Sequence, residues 1–155
     1  AEKLLNGVGN NFDTAIIVSA EASLFQVTVP IRVDVEMDAD GVITTGSGYT
    51  VDNECPLGPV VIEEIKVVSK STWSIADFNA DYKNMKASSN KIGLSINGAE
   101  VQTNGTLVLN DSLSSVIRNK ESKSLSFEAK LPAQKIAITD NALGIIFTVD
   151  FDKAE

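Results

Sequence analysis

The residues of this chain that could do chemistry are few, and the densest group runs from 36 to 41. Glu36, Asp38 and Asp40 stand at alternate places with Gly41 sixth. A calcium loop begins in this way, with side-chain oxygens every second residue and a glycine for the sharp turn. The twelfth place, where such a loop needs a bidentate Glu, is Ser47. The run therefore reads as a hairpin turn, and no metal site is assigned. Cys55 is the single cysteine and histidine is absent. That excludes an internal disulfide or thiolate cluster and removes the commonest general base. Between Glu54 and Pro56 no cation would lower the thiol pKa, so Cys55 reads as a buried or bystander group, with an intermolecular disulfide as the competing use. Ser69 and Ser71 flank Lys70 without the further partners a serine nucleophile needs, and no catalytic residue is assigned. Asp150 and Asp152 read as solubilising residues. Tyr49, Trp73 and Tyr82 are the rings that could stack on a sugar, although packing accounts for them equally well. Asn104-Gly-Thr106 and Asn110-Asp-Ser112 match a glycosylation sequon short enough to arise by chance.

Composition limits the partners. A formal charge of −8 and a pI near 4.5 argue against nucleic acid and anionic membrane surfaces, which demand clustered Lys and Arg. No apolar run approaches the roughly 20 residues of a membrane span. The chain starts at Ala1 rather than Met, which fits removal of a signal peptide and an extracellular or cell-surface location. The 43% hydrophobic content includes only 6% aromatic; Val, Ile and Leu with many Thr and Ser favour strands.

The elements that must position these residues are organised around 24–36. There Phe25, Val27, Val29, Ile31, Val33 and Val35 alternate with Gln26, Thr28, Arg32, Asp34 and Glu36. Period two predicts one long strand with these six side chains inward. Pro30 cannot donate to a ladder and predicts a bend at which the strand changes sheets. Upstream, residues 1–13 carry Leu4, Leu5, Val8 and Phe12 among Gly and Asn, which predicts a flexible arm and candidate donor strand. Residues 14–19 read as a short strand too apolar to be left uncovered. Downstream, residues 42–45 return as a hairpin partner, 49–51 and 60–69 are strands, and 77–85 holds a turn of helix. Residues 91–96 and 99–102 flank Asn97-Gly98, the strongest short hairpin signal; Asn104-Gly105 repeats the device before 106–109. Residues 112–117 read as strand or helical turn. In 124–131, Leu125, Phe127, Ala129 and Leu131 face inward; Ile136 and Ile138 edge the sheet, and 144–151 is the last strand. The whole predicts an all-β fold, an antiparallel β-sandwich, Ig-like or jelly-roll-like, of about nine or ten strands. Residues 14–155 form the single domain behind the arm.

Several of these segments together resemble small secreted all-β surface proteins of Gram-positive anaerobes. They are Phe25-Gln-Val-Thr-Val-Pro30, Asp40-Gly-Val42, Pro59-Val-Val-Ile62 with Ile65-Lys-Val67, Trp73 with Asp77-Phe78, Lys91-Ile-Gly-Leu-Ser-Ile-Asn-Gly98, Ala129-Lys-Leu-Pro-Ala-Gln134 and Ile146-Phe-Thr-Val149. The resemblance covers about residues 25 to 151 and implies a surface location rather than a reaction. In layout alone, an arm before a sandwich is similar to the fibre-forming matrix proteins of Gram-positive biofilms.

The expected function is accordingly that of an extracellular structural subunit, not an enzyme and without a cofactor. Copies of the chain would assemble into a fibre, pilus or surface layer by N-terminal strand addition. Leu4, Leu5, Val8, Phe12, Ile16 and Val18 form the expected subunit interface. The competing arrangement pairs residues 1–20 within their own domain. A different class, a monomeric adhesin or carbohydrate-binding module, would use end loops around Tyr49, Trp73 and Tyr82.

Overall fold

The computed structural model describes residues 14–20 and 24–153. Leu4, Leu5, Val8 and Phe12 of the expected arm lie outside the described residues. The fold is all-β, with four small sheets packed around one continuous apolar core. The described residues form eleven strands, more than expected because three of them are only two residues long.

The organising run does change sheets, but as two short strands. β1 (Val27–Thr28) pairs antiparallel with β4 (Tyr49–Asn53), which in turn pairs with β9 (Ser122–Leu125). β2 (Val35–Met37) pairs instead with β3 (Ile43–Thr45) across the turn closed by Gly41 at φ 81°. Between them the chain is irregular, because Pro30 cannot take part in a ladder. The expected inward row of six is therefore corrected. Val27, Val33 and Val35 pack on the core, whereas Phe25 and Val29 are about two-fifths exposed and Ile31 fully so. Alternation holds a side chain inward only while the backbone stays extended, and it lapses around the proline.

A second crossing occurs at Ser126. β9 ends at Leu125, and β10 (Phe127–Lys130) begins two residues later in another sheet, paired with β7 (Lys91–Ile96). The bend is clamped by the Asn97 side chain, whose Oδ1 accepts the Ser126 N–H at 2.7 Å while its Nδ2 donates to Ser124 O at 3.0 Å. Asn97 itself sits at φ 49° and Gly98 at φ 82°, the conformation of the tight turn expected there. That turn joins β7 to β8 (Ala99–Glu100). Leu125, Phe127 and Ala129 stay buried through the crossing. β6 (Ser74–Ile75) adds the one parallel pairing among the described strands, alongside β7.

The longest ribbon joins β5 (Val60–Ser69) to β11 (Leu143–Phe151). Residues 106–109 are not a strand: after the Asn104-Gly105 turn only Thr106 bridges to Lys66. Helix α1 (Asp111–Ser114) resolves the strand-or-helix alternative; Asn110 caps it by accepting the Leu113 N–H, and Leu113 is fully buried. The turn of helix expected in 77–85 is a 3-10 turn at Tyr82–Asn84. Ile136 and Ile138 edge no sheet, and Ile136 is three-quarters exposed. Residues 14–19 form no strand either.

Val33 and Ile31 test this description, since strict alternation treats them alike. Val33→Asp should lower unfolding free energy by about 2 kcal/mol or more, the cost of an unpaired carboxylate against the core. Ile31→Asp should stay within about 0.5 kcal/mol. Equal losses in urea denaturation would contradict the break at Pro30.

Candidate functional site

The groups singled out for chemistry are tied up in structure. Asp38 uses one carboxylate oxygen to accept the N–H groups of Asp40 and Val42, both at 2.9 Å, and its carbonyl accepts the Gly41 N–H. This is an Asx turn closing the β2–β3 hairpin. Among the described residues no three His, Cys, Asp or Glu side chains are grouped so as to hold a metal ion. Ser69 ends β5, and Lys70 and Ser71 begin the exposed turn after it. Asp150 pairs with Lys153 at 3.2 Å and accepts the Phe151 N–H.

Cys55 is completely buried, which corrects the intermolecular disulfide reading. Its sulfur receives the Gln26 N–H at 3.3 Å and donates to Gln26 O at 3.5 Å; the neighbouring Glu54 N–H also reaches that carbonyl. Asn53, buried as well, accepts the Cys55 N–H and donates to Ile117 O and Gly58 O. These contacts fasten the chain at Gln26. Beside them Asp52 accepts from Thr28 on β1 and Ser122 on β9, tying three strands together. Those hydroxyl bonds, Ser122 foremost, hold its pKa below the usual carboxylate value.

The three rings considered for sugar stacking form no platform. Trp73 is buried and its indole N–H donates to Asp140 at 2.9 Å. Tyr82 is buried, with its hydroxyl donating to Asp77 O. Burial, and then the Asp77 charge, push its pKa upward. Half-buried Tyr49 stands edge-on to Phe127 with centroids 5.5 Å apart, and its hydroxyl accepts the Asp34 N–H.

What remains unsatisfied is apolar surface and backbone. Ile16, Ile17 and Val18 belong to no strand and are 86–88% exposed, so the two interface residues expected in this stretch, Ile16 and Val18, are left in water. Three adjacent branched side chains left in water are unlike the single exposed apolar residues normal on a surface. A second feature was missed in the sequence. β11 is nine residues long, pairs only with β5, and has no strand along its other edge among the described residues. From Leu143 to Val149 it carries no charge and no proline, and Ile146 on its outer face is 53% exposed. That run of Leu-Gly-Ile-Ile-Phe-Thr-Val, without a Lys or Pro to guard it, is the signal that could have identified it. No described helix is long and apolar enough to cross a membrane. Compared with known proteins, the chain matches no family model, no curated sequence and no solved structure.

Removing the Asp38 side chain should cost about 1 kcal/mol for the lost turn bonds, equally in millimolar calcium and in chelator. A melting temperature that rises several degrees with calcium in the wild type would overturn this, because a ligand of the native state alone must stabilise it.

Proposed function

We propose that the protein is a structural subunit that assembles with copies of itself, through its N-terminal segment, into a fibre, pilus or surface layer outside a cell. The observation that carries this reading is the exposure of Ile16, Ile17 and Val18. Their burial would contribute about 1.5–3 kcal/mol each, against roughly 1–2 kcal/mol per residue for fixing an extended backbone. Leaving them in water wastes that stabilisation, and a neighbouring subunit supplies it. The segment is Thr-Ala-Ile-Ile-Val-Ser-Ala, uncharged and rich in β-branched residues, a composition suited to joining a sheet. In a chain of net charge −8, an uncharged segment is also where two copies meet with least repulsion. The cell-surface setting rests on the resemblance of the strand and turn motifs to secreted surface proteins.

A contact made by a segment of one copy on a different surface of the next is heterologous, and propagates unless its rotation closes a ring. Deleting residues 1–20 should abolish multimers and leave a folded monomer, because Gln26 and the core behind it are held by contacts within 26–153. Light scattering at matched concentrations checks this. A full-length chain that stays monomeric under every folding condition would defeat the proposal.

A further inference from the structure

We propose that the open edge of β11 receives residues 14–20 of a second copy, running antiparallel to it. This rests on the strand-addition reading above and adds the site that accepts the strand.

The backbone assigns the edge. On β5, the Val67 N–H donates to Gly105 O at 2.8 Å, and Val60 exchanges both backbone bonds with Ile117 at 2.9 and 2.8 Å. Those groups point away from β11. Residues directly opposite in an antiparallel pair alternate between bonding each other and turning outward together. The partners of Val67 and Val60 on β11, Ile145 and Phe151, therefore direct their own N–H and C=O to the far edge. In phase with this, Lys70 N–H reaches Ala142 O and Asp152 N–H reaches Pro59 O, closing the β5 side at either end. Leu143, Ile145, Phe147 and Val149 thus present an unpaired ladder among the described residues. Their side chains are the ones packed on the core, and each is only half-buried.

Residues 14–20 match this edge in length and on both faces. Seven extended residues span about 23 Å and the nine of β11 about 30 Å. Ile16 and Val18 share one face and extend the core-facing row; Ile17 falls on the other, beside exposed Ile146.

The root of the segment decides which copy supplies it. Phe25 packs edge-on to Phe151 with centroids 5.2 Å apart, and Gln26 is fixed by Cys55, so the segment departs at the C-terminal end of β11. To lie antiparallel on its own β11 with Ile17 beside Ile146, Ala20 would have to sit next to Leu143. That is about 26 Å from Phe151, whereas the five links from Ala20 to Phe25 reach about 18 Å. Its own strand is accessible only in the parallel sense, the less stable pairing. A second copy has no such tether.

Two single variants of the full chain test the proposal: Ile17→Cys and Ile146→Cys, both at exposed positions, with buried Cys55 left in place. Mixed in equal amounts, assembled and mildly oxidised, they should lose about half of the monomer to a disulfide-linked dimer on a non-reducing gel, since in a head-to-tail array an Ile17→Cys arm meets an Ile146→Cys edge at about half of the contacts. Ile17→Cys mixed with Ile31→Cys should not. The double variant Ile17→Cys/Ile146→Cys should give a ladder of multimers. Scattering that reports assembly, with no cross-link at Ile146, overturns the β11 site while leaving strand addition standing. A double variant that cross-links only within monomers overturns the choice of a second copy. No assembly of wild-type chain overturns both readings.

Discussion

An apolar row can serve one core from two sheets only if the backbone that carries it bends without turning the row outward. This chain changes sheets twice, breaking the row at Pro30, where Val29 and Ile31 turn outward, and keeping it inward at Ser126. At Pro30 the missing N–H ends one ladder and the next starts at Val35. At Ser126 no proline intervenes; Asn97, held at positive φ by its turn, clamps the backbone on both sides of the bend. Leu125 and Phe127 stay buried across it. The same Asn97 accepts β10 into the sheet of β7, so one turn residue links hairpin and crossing.

Sharing strands among several small sheets leaves edges, and their protection differs. β1, β6 and β8 are two residues long and offer little to pair with. The outer side of β5 is covered at Val60 and Lys66 by bridges from Ile117 and Thr106. β11 has neither shortness nor cover, and its uncharged sequence lacks the Lys or Pro that would discourage another strand. The exposed apolar segment and the unguarded apolar edge are the two halves of the proposed contact, and the fastening of Gln26 by Cys55 and Glu54 sets where one begins relative to the other.

Much of this was legible where a local pattern and the fold agree. The period-two rows of residues 144–151 and 124–131, the Asp38–Gly41 turn and the Asn97-Gly98 hairpin all signal their own conformation. The alternation of 24–36 misplaced Phe25, Val29 and Ile31 because periodicity carries no information on where pairing stops. The crossing at Ser126 was invisible because a polar residue there fits unbroken alternation; the bend comes from Asn97, 29 positions away. Residues 106–109 look like a hairpin return, yet a single bridge to β5 uses them. Of the proposed interface, Ile16 and Val18 were identifiable as apolar residues needing cover. β11 was identifiable as a strand, but whether a strand is central or at an edge depends on partners distant in sequence.

The central claim is that alternate backbone groups of β11 are unpaired until a second copy covers them. Amide hydrogen exchange read residue by residue, in the monomer lacking residues 1–20 and in assembled full-length protein, tests it most directly. In the monomer, Gly144 and Ile146 should be protected by β5 while Ile145 and Phe147 exchange rapidly; in the assembly all four should be protected. Protection of Ile145 and Phe147 already in the monomer, or continued rapid exchange in the assembly, would contradict the account.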